Sequence, residues 1–154
     1  MAALTKSKNY LYWVVVELRR LYFKLWGMQI GRGTTISFSA KLDTTNPKGI
    51  HIGEYTAVAF GAVILSHDAR NSRHTDTWIG NNCLIGGRCI IYPGVRIGNN
   101  CVVGLGSVVM GNVPDGTIVS GFPARVIGSG IETGPYGLSL AKSNEEAAVA
   151  SKDG

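Results

Sequence analysis

From Trp78 onward, Ile79, Ile85, Ile91, Ile97, Val103 and Val109 fall six residues apart without a break. Small residues recur four positions after each aliphatic, at Cys83, Cys89, Val95, Cys101, Ser107 and Val113. The same phase runs upstream through Ile52, Val58 and Ile64, and earlier through Ile30, Ile36 and Leu42. Ile79-Gly80-Asn81-Asn82-Cys83 returns three hexapeptides further on as Ile97-Gly98-Asn99-Asn100-Cys101. A period of six fits neither a helix nor an ordinary amphipathic strand. It fits a three-sided prism, in which each short strand turns one large and one small residue inward. Three such faces make an 18-residue coil, and stacked coils pair backbones about 4.8 Å apart over an aliphatic ladder. Gly and Asn suit the corners because both tolerate unusual backbone angles.

The phase breaks twice. Leu42 and Ile52 are ten residues apart, and the Asp-Thr-Thr-Asn-Pro-Lys-Gly segment between them (43–49) reads as a loop. Ile64 and Ile79 are fifteen apart, three more than two hexapeptides, so 68–77 is expected to leave the coil as an excursion. Insertions in repeat proteins tend to carry function. Ahead of the repeat, residues 9–26 read as a helix, with Gly27 as its stop. Leu11, Val14, Val15, Leu18, Leu21, Tyr22 and Leu25 share one face, and Glu17, Arg20 and Lys24 the other. This helix either caps the open coil or packs in a trimer. It could equally lie on a membrane, with Tyr10, Trp13, Tyr22 and Trp26 at headgroup level. The expected organisation is an amphipathic helix (1–28), a repeat domain (29–127) and a flexible tail (128–154), with a short helix over 145–150 as an alternative within the tail.

Composition narrows the classes. Glycine is 21 of 154 residues, and charged residues are only 16%, which suits many turns and small outward faces. The formal net charge is +5, and residues 1–28 carry five bases against one acid. That balance could attract anionic lipid or a phosphorylated cofactor. The chain has neither a long basic run nor a nucleic-acid motif, so nucleic acid is not an expected partner. Cys83, Cys89 and Cys101 all fall on small inward positions and read as free core thiols. Cys83 and Cys101 sit one coil apart, within disulfide reach, but no secretory signal is evident and zinc-type spacing is absent.

A side chain that takes and gives a proton near neutral pH is most often histidine. Three histidines are candidates. His51 lies beside a core Ile on a strand, so it should point outward in a structural role. His67 ends a coil where the excursion begins, a natural cleft. His74 lies inside the excursion.

The segment Ser66-His67-Asp68, an excursion, then Trp78-Ile79-Gly80-Asn81-Asn82 and Ile85-Gly86-Gly87 resembles the sugar O-acetyltransferases of the hexapeptide-repeat family. Pro93-Gly94-Val95-Arg96-Ile97-Gly98, Gly104-Leu105-Gly106-Ser107-Val108-Val109 and Gly121-Phe122-Pro123-Ala124-Arg125-Val126 extend the match. The resemblance implies an all-β fold: a left-handed parallel β-helix of 18-residue coils, with the N-terminal helix and the tail appended. That hand departs from the usual right-handed crossover. The resemblance further implies acetyl-CoA as acyl donor with no metal, a sugar or glycan acceptor, and a homotrimer with clefts between prisms. His67 is then the general base and the Gly87 N–H the oxyanion donor, with His67 of one chain opposite Gly87 or Leu105 of another. Asp43, His74 and Asp68 become acceptor-binding candidates, Asp43 also as a residue orienting an imidazole. Gly87, Leu105, Met110 and Arg125 become donor-binding candidates.

Two positions depart from the pattern. Met110-Gly111 stands where relatives often carry Thr-Lys, and Gly128 where a base is frequent, so Arg125, or Arg88 or Arg96 from a neighbour, is left to meet the nucleotide phosphates. The competing readings are an N-acyltransferase of a nucleotide-linked amino sugar, a γ-type carbonic anhydrase and a non-catalytic β-helix. The three histidines are spaced 16 and 7 apart, which fits the zinc site of the carbonic anhydrase poorly. The expected location is cytoplasmic, with the membrane's inner face as the site of any peripheral contact.

Overall fold

The computed structural model describes residues 2–140, with side chains from residue 10 onward; the expected helix over 145–150 lies outside the described residues. Helix α1 (Ala2–Leu25) is followed by a parallel β-helix with three faces. The first face stacks β1 (Gln29–Ile30), β4 (Ile50–Ile52), β9 (Thr77–Ile79) and β12 (Arg96–Ile97). The second stacks β2 (Thr35–Ile36), β5 (Ala57–Val58), β10 (Leu84–Ile85), β13 (Val102–Val103) and β15 (Ile118–Gly121). The antiparallel β16 (Ala124–Gly128) closes that sheet. The third stacks β3 (Lys41–Leu42), β6 (Val63–Ile64), β11 (Ile90–Ile91) and β14 (Val108–Val109). A separate hairpin pairs β7 (His67–Asp68) with β8 (Arg73–His74).

The register explains the period. Ile79 pairs with Ile97, Ile85 with Val103 and Ile91 with Val109, each partner three hexapeptides on. These aliphatics are buried in one continuous core. At the corner between the first and second faces, Thr34, Thr56, Cys83 and Cys101 form a second ladder. Each donates its hydroxyl or thiol to a carbonyl of the next coil: Gly53, Gly80, Gly98 and Pro114 respectively. The cysteines are thus buried thiols that replace threonine in the ladder. The same corner holds a column of left-handed residues, Gly33, Tyr55, Asn82, Asn100 and Gly116. Asn and Gly were expected there; Tyr55 adopts φ 51 because its coil must turn in register with its neighbours.

The two breaks differ in kind. Ile30 pairs with Ile52, so the first break adds four residues to the three hexapeptides of a coil. Ile52 pairs with Ile79, so the second adds nine. The fifteen residues from Ile64 to Ile79 therefore turn one corner rather than crossing two faces. The excess forms the β7–β8 hairpin, which starts at His67 itself.

Helix α1 begins earlier than the pattern suggested and buries a different face. Val16 and Phe23 are buried, with Arg19 between them half-buried. Arg19 Nη2 donates to the carbonyls of Ser37, Phe38 and Ala40 at 3.0, 3.2 and 3.4 Å, tying the helix to the first coil. The guanidinium also lies over the rings of Phe23 and Phe38. A cation at the centre of the packed face rotated the true contact away from the expected Leu11–Leu25 stripe. Leu18, Leu21 and Leu25 of that stripe are 60%, 53% and 80% exposed.

His51 points out of the prism as expected, yet it is buried. Its ring stacks on Trp78 at 3.7 Å, and Nδ1 lies 3.0 Å from Gln29 Oε1. Residues 129–140, within the segment expected as a flexible tail, lie against the prism. Ile131 N–H donates to the Gly116 carbonyl, Thr133 Oγ1 to that of Asn82, and Tyr136 N–H to that of Tyr55.

Ile91 is fully buried between Ile64 and Val109. Ile91→Ala should cost about 2–5 kcal/mol in urea unfolding. Cys83→Thr should cost far less, since a hydroxyl there repeats the Thr56 rung. Equal costs would contradict the two-ladder account.

Candidate functional site

The corner between the third and first faces collects both insertions. From the shorter one, Asp43 Oδ2 accepts the Ser66 N–H at 3.1 Å and Oδ1 accepts the Thr45 N–H at 2.9 Å. Burial alone would raise the Asp43 pKa. The N–H groups of Ser66, Thr45 and His67 outweigh it and hold the carboxyl below its usual value. Asn46 Nδ2 donates to the carbonyls of Ser66 and Thr75 at 2.9 and 3.2 Å. Ser66 Oγ returns a bond to the Asn46 carbonyl at 2.7 Å, and Thr77 Oγ1 donates to the Leu65 carbonyl at 2.6 Å. Gly49 is required behind this knot, since a Cβ there would stand 2.6 Å from the Thr75 oxygen.

The knot fastens the root of the hairpin on which His67 stands. His67 is half-buried, and its ring makes no hydrogen bond among the described residues. It meets the exposed His74 ring edge-on at 5.4 Å, across the register pair His67–His74. Asp68 is turned to the hairpin's own turn. It accepts the Asn71 side-chain amide at 2.6 Å and the N–H groups of Arg70 and Asn71, which lower its pKa. The structure therefore joins Asp43, His67, Asp68 and His74 at one corner. Asp43 Oδ2 holds the Ser66 N–H beside His67 while Oδ1 holds the Thr45 N–H of its own loop, so the carboxylate ties the 43–49 loop to the backbone next to His67. Asn46 was not singled out from the sequence; the Asn-Pro in the 43–49 loop was read only as a turn.

Two coils along the same corner, Met110 and Arg125 line a cleft of about 240 Å³ with Asn112, Pro123 and Val126. The Arg125 guanidinium is exposed and bonds only its neighbouring Ala124 carbonyl among the described residues. Gly87 and Leu105 form a second group at the corner between the second and third faces. A Cβ on Gly87 would stand 2.7 Å from the Phe60 ring and 3.0 Å from Leu105 Cδ1, so only glycine fits without movement. Within one chain the third face separates this group from His67.

Residues 77–110 match the family model described as the hexapeptide repeat of succinyl-transferase. The chain is 34% identical over 109 residues to YvoF of Bacillus subtilis strain 168, named as an acetyltransferase. The match covers 70% of this chain and 63% of that protein, so the chain spans a little under two thirds of that relative's length. Among solved structures, it is similar to the hexapeptide-repeat acetyltransferase VCA0836 from Vibrio cholerae O1 biovar eltor, complexed with acetyl coenzyme A. The TM-score is 0.58 at 28% identity, covering 67% of this chain and 60% of that one. A maltose O-acetyltransferase from Clostridium difficile 630 also gives a TM-score of 0.58, at 27% identity, covering 73% of this chain and 75% of that one.

The Asp43 carboxylate binds its proton less tightly when folded than when unfolded. Its contribution to stability is therefore complete above the ordinary aspartate pKa of about 3.9 and is lost as pH falls. Asp43→Asn should lower the urea midpoint at pH 7, and the gap to the parent should shrink below about pH 4. A constant gap from pH 7 to pH 3 would remove the carboxylate from this role.

Proposed function

From this chain's membership of the hexapeptide-repeat acetyltransferase family, we propose that it transfers an acetyl group from acetyl-CoA to a hydroxyl of a sugar or glycan precursor. One observation carries the reading. A half-buried imidazole without a hydrogen-bond partner among the described residues is fixed at a hairpin root, on the corner that also bears the Met110–Arg125 cleft. In this reading the coils wind with the left hand of the family.

His67 takes the proton of the acceptor hydroxyl as that oxygen bonds to the thioester carbonyl carbon. The tetrahedral oxyanion is met by the Gly87 N–H, which donates no hydrogen bond among the described residues. Collapse breaks the carbon–sulfur bond, and the proton held on His67 passes to the departing thiolate. The products are an acetyl ester and free CoA thiol. Met110 and Arg125 hold the donor further along the corner, and His74 borders the acceptor.

Because the third face separates His67 from Gly87, the working assembly is a homotrimer in which a neighbour supplies Gly87 and Leu105. Val63, Ile90 and Val108 give the third face an apolar outer row that suits such packing. α1 is read as a peripheral membrane contact of a cytoplasmic enzyme, through the apolar face the prism leaves uncovered.

His67→Ala should lower kcat by about 10²–10⁴-fold in a thiol-release assay with acetyl-CoA and a sugar panel. Activity that survives the change would falsify the assignment of the base. A second prediction tests the divided site. His67→Ala and Gly87→Val chains, each inactive, should on mixing regain about a quarter of parent activity, since one interface in four pairs an intact His67 with an intact Gly87. Mixtures that stay inactive while light scattering shows mixed trimers would overturn the shared site.

A further inference from the structure

We infer that the acetyl acceptor is a saccharide carried on a membrane lipid through a phosphate or diphosphate, and that the enzyme meets it at an anionic bilayer surface. This rests on the acetyltransferase reading above and adds the acceptor's class.

Two separate features of the surface converge on it. The first is the outer face of α1. Tyr10, Leu18, Leu21, Tyr22 and Leu25 are all more than half exposed, with Trp26 just beyond. The prism cannot cover them, because the packed face is set by Val16, Arg19 and Phe23. No helix among the described residues is long and apolar enough to cross a membrane, and an amphipathic face of this kind suits contact along a membrane surface. Aromatic groups at headgroup level and a basic segment, five bases to one acid over residues 1–28, complement an anionic surface. Arg20 pairs with Glu17 and Arg19 is committed to the first coil, while Lys24 stays exposed beside the apolar face.

The second is the hairpin. Arg70 and Arg73 are exposed on the same hairpin as His67 and His74, with Arg73 in register with Asp68. The Arg73 side chain makes no hydrogen bond or ion pair among the described residues, and the Arg70 guanidinium interacts with Asp68 only through charge. Guanidiniums on the hairpin that carries the proposed base suit a sugar bearing phosphate.

The placement of these features links them. α1 packs on β1 and β2, in the first coil, and His67 follows β6, in the second. One coil, about 5 Å, separates them along the axis. Met110 and Arg125 lie further from the helix, two coils beyond His67. A carrier lipid could stay in the bilayer while its first sugars reach the base, and the soluble donor would enter from the far end. Three parallel prisms would set three such helices on the same side and multiply the attachment.

Vesicle flotation tests the inference without needing the sugar's identity. The probes are phosphatidylcholine vesicles, the same with phosphatidylglycerol, and the latter doped with a sugar-free polyprenyl diphosphate. The intact chain should float about tenfold more with phosphatidylglycerol than without it, and several-fold more again with the doped vesicles. Leu18→Glu with Leu21→Glu should abolish flotation on all three. Arg70→Ser with Arg73→Ser should keep phosphatidylglycerol binding and lose the increment, and free pyrophosphate should compete that increment away from the parent. His67→Ala should float like the parent, so a failed base assignment leaves this result readable. Bare vesicles, or a dopant without effect, would overturn the inference. So would a Leu18→Glu/Leu21→Glu chain that drops to a smaller assembly, because that face would then belong to a second copy.

Discussion

One constraint governs this molecule: every sixth side chain must reach the axis of the prism and lie on its counterpart in the coils above and below. Parallel pairing about 4.8 Å apart leaves no slack in that register, because a one-residue slip would turn an aliphatic outward. Ile30, Ile52, Ile79 and Ile97 on the first face, and the matching columns on the other two, fill the interior almost completely. The corners answer to the same demand. Tyr55 and Arg88 accept left-handed backbone, at φ 51 and φ 57, because the neighbouring coils turn there.

A prism so tightly specified inside has little freedom for chemistry on its faces. Extra residues can enter only at corners, where the chain leaves the register and returns to it. Here a four-residue and a nine-residue insertion occur at the same corner in successive coils, and each supports the other. The Asp43 carboxylate and Asn46 amide of the shorter one bind the backbone at the root of the longer one. An imidazole on an otherwise free hairpin thereby gains a fixed platform. A loop residue held in this way has the positional precision that the proposed role as general base would need.

The repeat was legible because burial enforces it residue by residue, and the positions of both interruptions could be read from the lost phase. The size of the second could not. Fifteen residues between Ile64 and Ile79 leave the same remainder whether one or two faces are counted, and only the pairing of Ile52 with Ile79 decides. An apolar stripe does not by itself say which face of the helix meets the prism. Arg19 turns toward the prism and bonds carbonyls that hydropathy does not register. The contacts of residues 129–140 leave equally little trace in hydropathy. This segment adheres chiefly through Ile131 and Tyr136 N–H groups and the Thr133 hydroxyl, with few large apolar side chains to advertise the contact. His67 stood out because it ends a phased run, whereas Asn46, which acts through backbone carbonyls, left no periodic trace.

The division of the site follows from the prism's shape. A convex three-sided rod has no deep cleft of its own, and its two chemically distinctive corners look outward in different directions. His67 and the Met110–Arg125 cleft occupy one, Gly87 and Leu105 the other, with the third face between them. Two rods set side by side make the groove that one lacks, and a closed ring of three repeats it without leaving an unpaired corner. In the proposed trimer, oligomerisation would therefore be part of building the reaction chamber, and the apolar outer row of Val63, Ile90 and Val108 offers a surface for it. The ends of the rod remain free of that task. One end carries a helix with an uncovered apolar side, the other a hairpin bearing Arg125. On the proposed reading, acceptor and donor would approach along a single groove from opposite ends, so that a membrane-bound and a soluble substrate meet without either changing phase.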